Sequence, residues 1–403
     1  MTLGRQRDAD VIVVGTGPAG AAASILLGEQ GFHVLALDRA HFPRHKICGE
    51  YLSPEAGRVL DRLGILKLVD AVAVPLRGMR ITAPDGTELV GTYRQIRDWR
   101  PYRQHAMALP RRMLDAVLTD RLRALPVDFR EQVRVTDVII ECGAVVGVEA
   151  RDGAGCRLVF RAPLTLAADG RASVVAQRLG CRRPHRLQRM ALVTYVSGVR
   201  GSRDLGEIFV DPPDYVVLNP VANDRVNMSL VVPLIDAALY SDRLECFFAA
   251  RVKQLLRVRS RLAGAEFVEP VRAMGPLAYR VIPPRVGGVL LIGDAAGFFD
   301  PFTGEGIYAA LRSAELAADV AAAAIHGGDV SARALAPYLR RRGEAFASKE
   351  HVTRVLQSII RHRSLANLTA HILASRQQLL DALMGVIGDF VPPSGVLAAL
   401  IRR

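Results

Sequence analysis

Three glycines near the start of the chain restrict its fold more than any other feature. Gly15, Gly17 and Gly20 stand in the segment Gly-Thr-Gly-Pro-Ala-Gly, directly after the apolar run Val-Ile-Val-Val. A short β-branched run that ends at a glycine is typical of a buried parallel strand. The Ala-rich segment 18–30 then predicts a helix, and residues 33–38 predict the next strand. The chain therefore opens with a βαβ unit.

A glycine pattern in this position is typical of a dinucleotide site, provided that an acidic residue ends the second strand. Gly15 permits the tight turn, Gly17 lets the backbone approach a pyrophosphate, and Gly20 lets helix and strand pack closely. The helix N-terminus stabilises the phosphate charge. Asp38 ends the second strand and is expected to accept hydrogen bonds from the adenosine ribose. The residues predicted to bind cofactor here are Gly15, Gly17, Pro18, Ala19, Gly20, Asp38 and Arg39.

A second glycine-rich segment, far along the chain, distinguishes FAD from NAD. A strand-like run leads to Gly293 and Asp294, and the loop 300–307 then enters a long helix. An aspartate in this place can hydrogen-bond a sugar-alcohol chain, and backbone N–H groups of the helix start can reach a ring that becomes anionic on reduction. NAD has no such chain or ring, so the segment indicates FAD. It adds Gly293, Asp294, Pro301, Gly304, Glu305, Gly306 and Ile307 to the predicted cofactor site.

Taken together, the motifs resemble a flavoprotein superfamily that contains p-hydroxybenzoate hydroxylase-like monooxygenases, geranylgeranyl reductases and flavin halogenases. The resemblance covers roughly residues 8–345 and includes the segments 46–50, 109–115 and 169–173. It implies an FAD cofactor and NAD(P)H as a transient electron donor that binds near the flavin. The further cofactor contacts that it implies are Cys48, Gly49, Arg111, Asp169 and Gly170.

The predicted fold class is α/β, or α+β when the whole chain is considered. A Rossmann-like FAD-binding domain carries an inserted antiparallel β-sheet substrate domain and a helical C-terminal region. Local expectations are that Ser53 caps a helix and that residues 158–167 form one strand. Turns are expected at 84–86, 211–214 and 223–224, and a helix over 241–257. The expected boundaries are 1–75, 105–180 and 275–345 for the FAD-binding domain, 76–104 and 181–274 for the substrate domain, and 346–403 for the helical region.

The charge balance allows several kinds of partner. Basic residues exceed acidic residues by 13, but they are scattered and lack the interleaved aromatic residues that stack bases, so we expect no nucleic-acid partner. The five cysteines form no closely spaced pair, which favours a reducing cytoplasm. Apolar residues at helical spacing beyond His351 predict either packing against the core or peripheral contact with a membrane.

Two redox reactions remain open. The sequence favours an NAD(P)H-dependent monooxygenase that uses O₂ to hydroxylate a small apolar, aromatic or polyketide-like metabolite. The alternative is a reductase that acts on a C=C bond of an isoprenoid, because the segment 48–50 resembles a motif of the geranylgeranyl reductases. Gly297 stands where aromatic hydroxylases of the superfamily commonly have histidine, and Trp99 alone cannot supply the tryptophan motif of the halogenases. The third alternative is a non-enzymatic protein that binds its partners through its basic surface.

Candidate reacting and substrate-binding residues are few. Cys48 and Glu50 are the candidate catalytic groups, because either could donate or influence a proton. The substrate-side motif of the reductases, which contains tryptophan, is not evident in the segment 214–220, where Tyr215 is the sole aromatic residue. The substrate residues predicted there are Tyr215, Asn219 and Pro220.

Overall fold

A computed structural model describes residues 7–201, 204–222, 224–240 and 242–396. The helices are α1 (Pro18–Glu29), α2 (Ala56–Arg62), α3 (Leu66–Asp70), α4 (Arg111–Arg123), α5 (Val174–Arg178), α6 (Leu234–Ala238), α7 (Leu244–Gln254), α8 (Leu256–Arg259), α9 (Gly306–His326), α10 (Ala332–Ile359), α11 (Arg363–Ser375) and α12 (Gln377–Ile387). The strands are β1 (Val11–Val14), β2 (Val34–Leu37), β3 (Tyr51–Leu52), β4 (Val74–Leu76), β5 (Gly78–Thr82), β6 (Glu88–Thr92), β7 (Ala106–Ala108), β8 (Asp128–Arg130), β9 (Arg134–Glu141), β10 (Ala144–Arg151), β11 (Arg157–Arg161), β12 (Leu164–Ala167), β13 (Arg182–Pro184), β14 (Arg189–Ser197), β15 (Leu205–Asp211), β16 (Asp214–Ala222), β17 (Arg225–Pro233), β18 (Glu266–Phe267), β19 (Arg272–Met274), β20 (Tyr279–Val281) and β21 (Val289–Leu291).

A five-stranded parallel sheet contains the predicted βαβ unit. Its strand order is β21-β12-β1-β2-β8, and all of its pairings are parallel. Strands β1 and β2 are buried on both faces, which explains their unbroken apolar sequences. Helix α1 is covered on one side by the long helix α9. The α/β class and the Rossmann-like arrangement are therefore confirmed.

An eight-stranded sheet forms the second large layer. Its strand order is β18-β14-β17-β16-β15-β5-β6, with β19 also paired to β14. Neighbouring strands are antiparallel except β15 and β5, which run parallel. The turns at 84–86 and 211–214 join their hairpins where the sequence places them. The turn predicted at Asn223 falls on a residue outside the described ranges.

Some local expectations are wrong. The segment 158–167 forms two strands, because Pro163 has no N–H for a continuous ladder; β11 pairs with β10, while β12 enters the parallel sheet. Helix α2 begins at Ala56 without a side-chain cap, so the cap expected from Ser53 is also wrong. The helix expected over 241–257 is divided into α7 and α8 at Leu255, and Ser241 lies outside the described residues.

The C-terminal helices pack against the eight-stranded sheet. Met384 of α12 lies against Gly91 of β6, where an added Cβ would approach the Met384 Cγ atom to 2.1 Å. Leu373 and Leu380 join the same buried cluster as residues of β5 and β14. Among the described helices, none is both long and apolar enough to cross a bilayer.

The close contact between β1 and α1 predicts a sharp difference between two glycine-to-alanine changes. A Cβ at Gly20 would lie 1.7 Å from the backbone oxygen of Gly15, so Gly20→Ala must displace the helix. We expect a loss of roughly 1–3 kcal/mol in the free energy of unfolding. Gly343 is exposed within α10 with no atom near its added Cβ, so Gly343→Ala should stabilise by about 1 kcal/mol. Thermal unfolding of both variants checks this, and equal melting temperatures would contradict the tight contact.

Candidate functional site

One cavity lies between the parallel sheet and the eight-stranded sheet. Its empty volume is about 1490 Å³, including the part open to solvent. The turn after β1, the segment 46–51, the start of α4, the loop after β12 and the loop before α9 line one part of it. Strands of the eight-stranded sheet line the other part. The predicted cofactor residues that line the cavity are Gly17, Pro18, Ala19, Cys48, Gly49, Arg111, Gly170, Asp294, Pro301, Gly304, Gly306 and Ile307.

Glycines leave the backbone of this cavity open to a ligand. A Cβ at Gly49 would meet nothing within 4 Å, and one at Gly17 would meet only the Arg44 guanidinium at 3.5 Å. Gly304 has a φ of +70°, and an added Cβ there would lie 2.5 Å from the Tyr51 ring. The backbone N–H groups near the start of α9 can therefore approach a ligand closely.

Asp294 is an unpartnered carboxylate at the cavity. It follows β21, lines the cavity, and its side-chain oxygens have no hydrogen-bond donor among the described residues. Burial raises the pKa of Asp294, while the charges of Lys46, Arg111 and Arg171 lower it. A half-buried carboxylate that has no hydrogen-bond donor among the described residues is costly, and the hydroxyls of a ribityl chain would satisfy it. The residues present therefore fit FAD.

Arg111 is held rigidly beside the same cavity. Its guanidinium donates to both carboxylate oxygens of Asp115, at 2.9 and 3.1 Å, and Asp115 is fully buried. Arg44 adds a second cation 3.5 Å from Asp115. The bidentate contact fixes the orientation of the arginine, so it can place a positive charge on a ligand at little entropic cost.

Glu50 is the most constrained group in the cavity wall. It is 2% exposed and has a φ of +57°, a conformation that non-glycine residues seldom adopt. One carboxylate oxygen accepts a hydrogen bond from the backbone N–H of Arg111 at 2.8 Å and another from the Tyr195 hydroxyl at 2.5 Å. The other accepts from the Asn227 amide at 3.2 Å. These donors come from both large layers of the fold.

The electrostatics of this segment favour protonated forms. Burial raises the pKa of Glu50 to about 7, although the hydrogen bonds from Tyr195 and Arg111 act in the opposite direction. Burial likewise raises the pKa of the Cys48 thiol, which the nearby Arg111 partly opposes. Near neutral pH, Cys48 is therefore a thiol and Glu50 can exchange a proton. Both groups line the cavity, as a proton donor to a substrate must.

The other part of the cavity is apolar. Asn219, predicted to contact substrate, lines this part but donates to the Gly49 carbonyl at 2.7 Å. Tyr215 also lines it, and its hydroxyl donates to Asp300 at 2.8 Å, so its ring rather than its hydroxyl is available to a substrate. The aliphatic residues that form these walls are Met79, Ile81, Ala191, Val193, Ile208, Val217, Val231, Met274 and Ile387.

Other predicted residues act beside the cavity. The Asp38 carboxylate accepts from the N–H groups of Thr16 and Ala40, both at 2.8 Å, and thereby fixes the turn after β1. Asp169 accepts from the Val174 N–H at 2.7 Å at the start of α5. The predicted residues that are not among the lining residues are Gly15, Gly20, Asp38, Arg39, Asp169, Pro220, Gly293 and Glu305.

Glu305 contacts the C-terminal helices. Its carboxylate lies 3.4 Å from the Lys349 ammonium of α10, which also pairs with Asp389. Thr353 donates to Glu305 at 3.4 Å. These contacts connect α10 and the end of α12 to the loop that precedes α9.

Several site residues were missed in the sequence. Tyr195 and Asn227 lie on β14 and β17, and Lys46 and Arg171 line the cavity beside predicted residues. The alternation of side chains along a strand predicts on which face of the sheet Tyr195 and Asn227 lie. It does not predict that both hydrogen-bond to Glu50. Asp300, whose pKa burial raises to about 6, lies in the predicted loop 300–307, but no role was predicted for it.

Several known proteins are similar to this chain in sequence or in fold. The FAD binding domain family matches residues 8–349. The digeranylgeranylglycerophospholipid reductase of Methanocella arvoryzae is 26% identical over 409 residues, which cover 94% of this chain and 99% of that protein. The menaquinone reductase of Mycolicibacterium smegmatis is 28% identical over 407 residues, covering 95% and 92%. The flavin-dependent brominase Bmp2 superposes with a TM-score of 0.82 at 21% identity, covering 97% of this chain and 98% of that one, which shows a common fold.

The unpartnered carboxylate predicts the effect of removing it. Asp294→Ala should weaken FAD binding about 10- to 100-fold, because a hydrogen bond to a charged group contributes about 1.5–3 kcal/mol. Titration of the apoprotein with FAD, followed by flavin fluorescence, measures the change. Asp242→Ala removes an exposed carboxylate and should leave the affinity unchanged. Unaltered FAD affinity in Asp294→Ala would refute the assignment.

Proposed function

The chain belongs to the FAD binding domain family and is a FAD-dependent oxidoreductase, and we propose that it reduces a C=C bond of a small, apolar, isoprenoid-like substrate. NAD(P)H is the proposed electron source. Overall, NAD(P)H gives up a hydride, a proton comes from solvent through the protein, and the alkene gains two hydrogens. Bound FAD supplies the hydride-transfer chemistry that amino-acid side chains lack.

The observation that carries this proposal is the buried carboxyl of Glu50 at the cavity. Reduction of an unactivated alkene requires a proton as well as a hydride, and the proton donor must retain its proton near neutral pH. Glu50, with a pKa of about 7, meets this requirement in a cavity whose substrate part is mainly aliphatic. Cys48, which is a protonated thiol near neutral pH, lies beside Glu50 and is a second candidate proton donor.

The remaining residues of the cavity would bind and orient FAD and the substrate. Asp294 and Arg111 would hold the cofactor, and the glycine turns admit its phosphates and ring. Aliphatic side chains such as Ile208, Val217 and Val231 exclude water and accept a hydrocarbon chain. Displacing water from these walls provides about 25 cal/mol for each Å² of apolar surface buried.

The relatives support the same chemistry. Two of them, matched over nearly their whole length, have names that denote reductases of a geranylgeranyl lipid and of menaquinone. Both named substrates carry long hydrocarbon chains. An apolar cavity of this size is consistent with a substrate of that class.

Oxygenation is the second candidate, and the sequence favoured it. The structural observation on its side is the segment 214–220, where Tyr215 is the sole aromatic residue and faces the cavity with its ring. Tyr51, Phe298 and Phe302 also line the cavity, and a partly aromatic pocket suits an aromatic metabolite. The two candidates differ in their need for O₂.

An anaerobic single turnover distinguishes the two reactions. The FAD-loaded enzyme is reduced with dithionite, then mixed with a short polyprenyl alcohol without O₂, and flavin absorbance is followed. We expect reoxidation with one double bond saturated for each flavin, measured by mass spectrometry. Reoxidation that requires O₂ and gives a product heavier by one oxygen atom would establish the monooxygenase instead.

The Glu50 carboxyl predicts a pH dependence. If protonated Glu50 is the donor, the rate of alkene reduction falls as pH rises through about 7. Glu50→Gln should lower the rate about 100-fold and remove this fall. Because the Tyr195 hydroxyl lowers the pKa of Glu50, Tyr195→Phe should move the fall to higher pH. Stopped-flow measurements from pH 5.5 to about 9 test this series, and an unchanged profile in Glu50→Gln would exclude the carboxyl as donor.

A further inference from the structure

A second cleft lies on the other side of the segment that carries Cys48 and Glu50. Its empty volume is about 420 Å³, and it shares Lys46, Cys48, Glu50 and Arg111 with the large cavity. One stretch of chain thus separates the two spaces. We call this second cleft the basic cleft, defined by its four lysine and arginine side chains: Lys46, Arg111, Arg112 and Arg272.

The basic cleft has more positive charge than its surroundings neutralise. Arg111 forms an ion pair with Asp115, but Lys46, Arg112 and Arg272 have no carboxylate within ion-pair distance in the described part of the chain. Two carboxyl groups also line the cleft. Glu269 lies 3.8 Å from Arg225, and Glu50 accepts hydrogen bonds from Tyr195 and Asn227 of the same cleft. The pKa of Lys46 is lowered by burial and then by the charges of Arg111 and Arg44. An anion in the cleft would relieve this repulsion.

The cleft is also built from both layers of the fold. Arg112 lies in the first turn of α4, where the helix dipole adds partial positive charge, and Arg272 lies on β19 of the eight-stranded sheet. Arginine guanidinium groups suit phosphate oxygens because they can donate two parallel hydrogen bonds. The chemistry of the cleft therefore fits a phosphate group.

We propose that the basic cleft binds phosphate groups of the nicotinamide dinucleotide that reduces the flavin, and that its cationic side chains favour NADPH over NADH. The proposal rests on the proposed function, which needs such a donor. Hydride transfer requires the reacting atoms to come within about 3–3.5 Å, so the nicotinamide must enter the flavin cavity while its phosphates remain outside. The basic cleft provides a phosphate site one chain segment away from that cavity. The donor leaves as NADP⁺ after giving its hydride to the flavin.

The test removes cationic charge from the cleft and measures donor binding directly. Arg112→Gln and Arg272→Gln, alone and combined, are compared with Arg341→Gln, which removes an exposed charge on α10. Calorimetry gives the Kd for NADP⁺ of the oxidised, FAD-loaded enzyme, and anaerobic stopped-flow gives flavin reduction at varied NADPH and NADH. Absorbance and melting temperature verify that each variant retains FAD and its fold.

We expect about 10-fold weaker NADP⁺ binding in each single variant and about 100-fold weaker binding in the double variant. The reduction rate at saturating NADPH should be unchanged, and the preference for NADPH over NADH should fall. Arg341→Gln should bind NADP⁺ normally. An unchanged Kd in the double variant, or an equal loss in Arg341→Gln, would overturn the proposal.

A phosphorylated substrate could supply the same chemistry, so a second measurement separates the sources. The KM for a polyprenyl phosphate is compared with that for the corresponding alcohol, using dithionite as reductant. If the cleft variants raise only the KM of the phosphate ester and leave NADP⁺ binding intact, the cleft serves the substrate and the donor assignment is overturned. Because dithionite replaces the donor in this assay, it tests the alkene reduction independently of the cleft.

Discussion

The buried carboxylate of Glu50 joins the two large layers of this protein. It accepts hydrogen bonds from the start of α4 on one side and from β14 and β17 on the other. A left-handed backbone and a desolvated carboxyl together cost several kcal/mol, and these hydrogen bonds offset that cost. Asn219 and Asn227 also hold the carbonyls of Gly49 and Cys48, so the whole segment is fixed. The shape of both neighbouring cavities depends on this fixed segment.

The large cavity separates polar recognition from apolar recognition. Its cofactor side presents backbone groups, Arg111 and the unpartnered Asp294, while strands of the eight-stranded sheet present hydrocarbon. Apolar walls raise the cost of charge, which is why Glu50 and Cys48 keep their protons at higher pH than free side chains. The same low polarity strengthens every hydrogen bond made to a bound cofactor.

The sequence predicted the parts of the site that depend on neighbours along the chain. The turn from Gly15 to Gly20 needs only a strand before it and a helix after it, and the confirmed parallel sheet follows from that unit. Contacts between distant segments leave no such local pattern. Nothing near Tyr195 indicates that it meets Glu50, and nothing near Glu305 indicates Lys349. Pro163 could have predicted the break between β11 and β12, because proline has no N–H to continue the hydrogen bonds between neighbouring strands.

The strand order of the parallel sheet has a consequence for how the molecule is made. Strand β1 comes from residues 11–14, whereas β21, which completes the same sheet beside β12, comes from residues 289–291. Pairings of such long sequence separation form slowly, because loop-closure entropy must be overcome first. During synthesis, the edge of β12 therefore stays uncovered until residues 289–291 have left the ribosome, and an unpaired strand edge can pair with other chains. Strand β21, which leads to Asp294, is the last strand of the parallel sheet to be synthesised. A ligand that binds only the folded chain stabilises the completed sheet by mass action.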